Sequence, residues 1–318
     1  MSTPPKLSET QKRRLATLEP ALRNAVRLGD YQTAKQVTLD IQDLLRPTGH
    51  VTRLMQAKNW LFEAAMEAGQ IEIAVSGFEG IRQRVSPRTR IYLEATALLA
   101  ICRIRQRDLS RAEPLMSEVL KNDTVITSEK RRRQFRVRVI ARFEQEGVLA
   151  ALSGRGDDRL LPDEIEKEAA EAVRTKTDDE IFADLGRALP AATVAFLLKV
   201  DQLARRQLAP EDLKYLPTSQ DLIKQSELGR TTFQSAKRVL WRSLCDPKSD
   251  IYQTWFNSGL SAVLNKRFVS SCVIAALTGF GIAIKGLVVS FVALIIKFGI
   301  EVYCDRFKPE GVMIARDE

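Results

Sequence analysis

The stretch that most limits what this chain can become is FVSSCVIAALTGFGIAIKGLVVSFVALIIKFGIEVYC, residues 268–304. Only Lys285, Lys297 and Glu301 in it are charged. A bilayer core takes about 20 apolar residues per helical span. One straight helix over the whole stretch would reach about 55 Å, too long for an ordinary crossing. Three readings follow. The first is a hairpin of two short spans, 266–283 and 287–304, with uncharged runs Phe268–Ile284 and Gly286–Ile296. Lys285 and Gly286 then mark the far side, and Lys266, Arg267, Arg306 and Lys308 mark a cytoplasmic face, as the positive-inside rule requires. Lys297 and Glu301 are four apart and can pair on one helix face. The second reading is one span with the remainder interfacial or buried in protein. The third is a hydrophobic hairpin buried in the protein's own core. The length of the apolar run favours the two-span hairpin over 266–305, followed by a cytoplasmic tail, 306–318.

The rest of the chain is charged, and its balance is basic, with a formal net charge of +9. That excess favours an anionic partner, nucleic acid or acidic lipid, without choosing between them. Cys102, Cys245, Cys272 and Cys304 form no CxxC pair, and their spacing suggests neither a zinc site nor a disulfide framework, which fits a reducing compartment. His50, the one histidine, stands beside Pro47 and Gly49 and reads as a loop residue. Residues 1–13 are polar, have no apolar signal-peptide region and read as a disordered N-terminus.

Three turns in the first half share a pattern: LGDYQTA at 28–34, AGQIEIA at 68–74 and QRDLSRA at 106–112. Gly29, Gly69 and Arg107 hold the middle positions. Ala34, Ala74 and Ala112 follow, and then Ile41, Ile81 and Val119. A glycine lets the chain reverse, a small alanine lets two helices approach, and an aliphatic residue continues the seam. Pro47 and Pro87 stop the second helix of the first two units. This pattern resembles a tetratricopeptide repeat, as three units over about residues 14–125. Leu22 and Phe62 stand where that family usually has a small residue, and Ala100 fits. The resemblance implies a helical-repeat domain over 14–152 that docks a protein partner on its concave face.

Residues 130–142, KRRRQFRVRVIAR, interleave basic residues with Phe135, Val137, Val139 and Ile140. They read as a helix whose Arg131, Arg132, Arg133 and Arg136 either meet nucleic-acid phosphates or pair with acidic neighbours such as Glu144 and Glu146. SGRGDD at 153–158 reads as a linker, and 153–185 as linker and helix.

Residues 222–240, LIKQSELGRTTFQSAKRVL, place Leu228 at a short turn and Thr231 and Thr232 at the start of a second helix. They resemble the helix-turn-helix of winged-helix and related bacterial regulators, within a domain over 186–257. Glu227 and Gly229 stand where that family usually has glycine and serine. The resemblance implies a second helix in a DNA major groove, presenting Arg230, Thr231, Gln234, Ser235, Lys237 and Arg238. The other reading of the motif is a packing unit.

No phosphate-cradling glycine loop, metal-spaced cluster or nucleophile–base pair is visible, so the expectation is a protein that is not an enzyme and carries no cofactor. The expected fold class is all-α: a tetratricopeptide-like solenoid, a helix-turn-helix or winged-helix-like domain and a C-terminal transmembrane hairpin. This layout is similar to the two-transmembrane effectors of bacterial retron and antiphage defence systems. That resemblance implies abortive infection at the bacterial inner membrane, with the soluble part cytoplasmic and held silent by a nucleoprotein partner. The small residues of the tail would then support homo-oligomers in lipid. The alternatives are a membrane-tethered DNA-binding regulator and a protein–protein interaction scaffold.

Overall fold

The computed structural model describes residues 4–257, 266–309 and 311. Among them all regular secondary structure is helical, and the one isolated β-bridge joins Arg155 to Ile282. Two compact units divide the chain: Met1–Arg142 with Leu203–Ala209 and Glu310–Glu318, and Phe143–Gln202 with Pro210–Pro309. The division falls inside a continuous helix, and the 153–185 segment read as a linker belongs to the second unit.

The first unit contains three helical hairpins: α1 (Glu9–Leu28) with α2 (Tyr31–Leu45), α3 (Val51–Glu67) with α4 (Ile71–Arg84), and α5 (Arg90–Arg105) with α6 (Leu109–Lys121). A reciprocal Ser8–Gln11 capping box starts α1 inside the segment expected to be disordered. One turn geometry closes all three hairpins. Gly29, Gly69 and Arg107 take φ of 66°, 78° and 59°. The next amide then donates to the carbonyl five residues back: Asp30 to Ala25, Gln70 to Ala65 and Asp108 to Arg103, each at 2.9 Å. This closure satisfies carbonyls that the helix end leaves open, and it requires a left-handed residue. Ala34, Ala74 and Ala112 are buried at the following crossings, with Ile41, Ile81 and Val119 behind them. The first helices also pack on one another, α1 on α3 and α3 on α5, with no comparably extensive contact from α2 to α4 or α4 to α6. The hairpins therefore fan out, with α1, α3 and α5 on the inner side.

Helix α7 (Glu129–Leu152) leads into the second unit. There α8 (Pro162–Thr175), α9 (Asp178–Arg187), α10 (Ala191–Arg205), α11 (Pro210–Leu213), α12 (Ser219–Leu222), α13 (Gln225–Cys245), α14 (Asp250–Asn257), α15 (Lys266–Gly279), α16 (Lys285–Phe298) and α17 (Ile300–Arg306) follow in order. The most extensive packing is α9 on α13. A Cβ on Gly186 would lie 1.9 Å from the Gln225 carbonyl oxygen, and one on Gly229 would lie 1.8 Å from that of Phe182. Each helix thus offers the other a glycine, and the backbones touch.

The helix break lies elsewhere than the helix-turn-helix reading placed it. Residues 225–245 are one helix, and the break lies at Ile223–Lys224, ahead of the expected turn at Leu228. Gly229 lies inside the helix as a packing surface. Thr231 and Thr232 do not open a helix, and Thr232 is buried with its hydroxyl donating to the Leu228 carbonyl at 2.7 Å.

The apolar stretch also differs from the expected hairpin. Helix α16 packs on α8, α9 and α15, and Leu287, Val288, Phe291 and Val292–Ile295 are buried all round it. A helix apolar on every side is either a core helix or a membrane span, and here its apolar residues are covered by the other helices of the second unit. Gly299, at φ 80°, ends it. The chain then bends by 92° into α17, so the proposed span 287–304 is two helices. Among the described residues no single helix is long and apolar enough to cross a membrane, although two bent pairs reach that length together, 285–306 being one. The connection 280–284 runs along the supposed linker. The Arg155 amide donates to the Gly281 carbonyl, the Ala283 amide to the Arg155 carbonyl and the Asp158 amide to the Ala283 carbonyl, at 3.0–3.1 Å. The Asp158 carboxylate accepts from the Lys285 amide at 2.7 Å, at the start of α16. Cys245 and Cys304 form a disulfide between α13 and α17, correcting the expectation of no disulfide, while Cys102 and Cys272 are buried outside any disulfide.

In an exposed helix, glycine to alanine would gain about 1 kcal/mol. At Gly229 or Gly186 the sign should reverse, because the added methyl meets a carbonyl: denaturant unfolding of either alanine variant is expected to show a loss of about 2 kcal/mol or more. At Arg107 the left-handed backbone favours glycine. Arg107→Gly should be more stable than Arg107→Ala by about 1 kcal/mol in the same assay, and equal stability would contradict the turn geometry.

Candidate binding site

Helix α3 has an unusual inner face. Gln56, Asn59, Trp60, Glu63 and Glu67 recur at spacings of three and four, which places them in one row. A first helix that packs on two neighbours should present apolar residues there. Instead Gln56 and Trp60 are 7% exposed and Asn59 and Glu63 are 0% exposed. Part of the row is tied to α5 and α7. The Asn59 amide donates to the Ile91 carbonyl at 3.1 Å. The Glu67 carboxylate receives Arg105 at 2.8 Å and Arg142 at 2.6 Å, and Arg105 also donates to the Met66 carbonyl. The Gln56 amide nitrogen and oxygen, the Asn59 Oδ1 and the Trp60 Nε1 are buried and have no hydrogen-bond partner among the described residues. Buried polar atoms without partners cost about 1–3 kcal/mol each, so folds seldom keep several in one row without using them. The Arg23 guanidinium lies 5.7 Å from the Trp60 ring centre at the α1 end of the row.

The sequence reading missed this row. Its signal was present as Gln56, Asn59, Glu63 and Glu67 at three- and four-residue steps, on a helix otherwise rich in Ala, Leu and Met.

In the second unit, Arg230 and Gln234 line a cleft of about 330 Å³ with Asp178, Asp179, Phe182, Phe298 and Arg306. Its floor is aromatic: Phe233 has Phe182, Phe291, Phe298, Tyr303 and Phe307 within 5.4–6.3 Å, centre to centre. The Arg230 guanidinium lies 4.6 Å above Phe182 and pairs with Asp179. Burial pushes the Tyr303 hydroxyl's pKa well up, and that hydroxyl donates to the Lys237 carbonyl at 2.9 Å. The charge on Arg230 is therefore countered in place.

The other expected nucleic-acid residues are dispersed. Arg238 is buried and pairs with the equally buried Glu146 at 2.5 Å, so its outward placement is corrected. Lys237 and Thr231 are half-buried. In the basic run, Arg133 pairs with Glu129 at 2.7 Å and Arg136 with buried Asp123, while Arg131 is exposed and Arg132 half-exposed.

Of the expected membrane residues, Lys285 bonds Glu164 at 3.1 Å and Glu168 at 2.8 Å, and Glu168 foremost holds its pKa above the usual lysine value. Lys297 pairs with Asp178 at 2.8 Å, not with Glu301, which is exposed beyond the Gly299 bend. Gly286 is exposed and faces Ala188, Ile284 and Ile296 are half-buried, and the side chain of Phe268 lies outside the described residues. No group of three or more metal-ligating side chains occurs among the described residues.

Comparison with family models, curated proteins and solved structures finds no match for this chain.

Removing either partner of the Arg238–Glu146 pair takes a counter-charge at 2.5 Å from a buried charge. Arg238→Ala or Glu146→Ala is expected to cost about 3–5 kcal/mol in chemical unfolding. Arg131→Ala on the exposed run should change stability by less than about 0.5 kcal/mol.

Proposed function

We propose that this chain is a non-catalytic interaction protein whose first unit receives a segment of a protein partner along the inner face of α3. The reading rests on one observation, the row of buried polar atoms on α3 with no partner among the described residues. A Gln or Asn amide carries both donors and an acceptor, which is the complement of an extended peptide backbone. The fan of hairpins with left-handed turns and buried alanines supports a tetratricopeptide-like module, a type of array that presents such faces to peptides. The aromatic cleft suits an apolar anchor from the same or another partner better than a phosphate, because Asp178 and Asp179 stand on its rim.

A second reading is favoured by a different observation, the bent pair 285–306, which together is long and apolar enough for a membrane. In that reading the chain is a membrane-acting effector of a bacterial antiphage defence system. The fold described is its closed state, and the Lys285 and Lys297 ion pairs with the Cys245–Cys304 disulfide hold the apolar helices in. Partner release would let 266–305 meet lipid of the inner membrane and self-associate.

Carbonate extraction of membranes from the native host separates the two. The interaction reading expects the chain in the supernatant, without depolarisation of cells on induction. The effector reading expects it in the pellet, with depolarisation that deletion of 268–304 abolishes. For the docking face, Gln56→Leu removes orphaned polar atoms and should hold or raise the melting temperature while stripping the partner that co-purifies reciprocally with the chain. A partner retained by a stable Gln56→Leu variant would sink the reading.

A further inference from the structure

Resting on the reading of this chain as an interaction protein, but not on the α3 row, we infer that the aromatic cleft of the second unit receives the last residue of a partner chain: an aromatic side chain whose free C-terminal carboxylate sits on Arg306.

The first observation is the charge balance of the cleft. Asp178, Asp179, Arg230 and Arg306 are its charged lining residues. Asp178 receives Lys297 at 2.8 Å, and Asp179 pairs with Arg230, whose guanidinium also covers the Phe182 ring. Those charges are countered within the unit. Arg306 is different. Its guanidinium lies 5.9 Å from the centre of the Phe307 ring and has no ion pair or hydrogen bond among the described residues. The cleft therefore holds one uncountered positive charge, which matches one carboxylate. A phosphate dianion would bring a second negative charge close to Asp178 and Asp179.

The second observation is independent. Gln234 also lines the cleft, is half-buried, and its side-chain amide has no hydrogen-bond partner among the described residues. A guanidinium has donors only, whereas an amide has donors and an acceptor. A chain end carries both complements on one residue. Its carboxylate suits the planar fork of Arg306, and its backbone N–H suits the Gln234 Oε1. An internal apolar residue would leave the Arg306 charge unmatched.

The third observation concerns shape. Phe182 and Phe233 are buried, but Phe298 and Phe307 are half-buried, with ring centres 5.7 Å apart and planes at 42°. These two rings form the accessible aromatic wall, and a third ring can join them edge-to-face or offset. Arg306 precedes Phe307 in the chain, so ring and carboxylate are met by adjacent residues. The cleft volume of about 330 Å³ is at the lower end of ligand pockets, about 300–1,000 Å³. It suits one terminal residue rather than an inserted helix.

Fluorescence anisotropy of the full chain with a labelled peptide Gly-Ser-Gly-Ser-Phe tests this. The free acid should bind at least tenfold more tightly than the same peptide as a C-terminal amide, and tenfold more tightly than a peptide ending in alanine. Arg306→Gln should lower the affinity for the acid to that of the amide, without lowering the melting temperature, because Arg306 is exposed. Arg131→Ala, which removes an equal charge from the exposed basic run, should not change it. Gln234→Leu should weaken binding of the acid about fivefold. Equal affinities for acid and amide would overturn the inference, as would an Arg306→Gln variant that still prefers the acid. 3-Phenylpropanoate keeps the ring and carboxylate but lacks the N–H, and should compete at least tenfold less well than the unlabelled peptide. Equal competition would assign the cleft to a small aromatic acid and overturn the chain-end assignment. No peptide binding, with the co-purifying partner still lost in Gln56→Leu, would remove this inference and leave the docking reading of α3 standing. Acid-selective peptide binding with the partner retained in Gln56→Leu would do the reverse.

Discussion

The second unit depends on two helices coming closer than side chains allow. Gly186 on α9 and Gly229 on α13 each face a backbone carbonyl of the other helix, so the helices meet main chain to main chain. That approach brings Phe182 and Phe233 to 5.8 Å, and Phe233 in turn holds Phe291 of α16 and Tyr303 of α17. Around this point the apolar helices find their places. Lys285 and Lys297, the two cations in the apolar stretch, reach acidic residues on α8 and α9 without leaving it. A single methyl group at the crossing would push apart the elements that organise the aromatic floor.

The first unit is organised differently, by repetition of one local solution. The same left-handed closure occurs at Gly29, Gly69 and Arg107, and the third uses a residue that does not favour it. Because α1, α3 and α5 also pack on one another, the middle first-helix α3 has neighbours on several sides. Its polar row is consequently dry as well as polar, and dryness makes hydrogen bonds there selective: an unmatched amide is costly, and a matched one is shielded from water.

How much could be read from the residues differs between the units for a physical reason. Turn closure, small crossing residues and seam aliphatics are local, so Gly29, Ala34 and Ile41 announced the first hairpin and their counterparts announced the next two. The all-helical class was legible for the same cause. Gly229 was not. A glycine that turns a chain and a glycine that admits a second backbone look alike until the partner is known, and that partner, Phe182, lies far away in sequence. The same holds for Cys245 and Cys304, separated by 59 residues. The apolar stretch was read by length alone, and length does not distinguish lipid from protein when α8 and α9 can cover it. Arg238 failed as an outward residue because Glu146, its counter-charge, lies 92 positions away. The α3 row was local and legible in principle, since polar residues at three- and four-residue steps on a first helix contradict its packing role.

The bond between Asp158 and the Lys285 amide closes a loop of 127 residues. On a ribosome, Asp158 and the apolar faces of α8, α9 and α13 emerge well before α16 exists. Until it does, those faces have no cover, and the nascent second unit is a set of amphipathic helices without a centre. The second unit should therefore acquire its core late in synthesis and in one step, with long-range contacts that are slow to form. During that interval its vulnerability to aggregation or to chaperone capture is set by translation speed past residue 300.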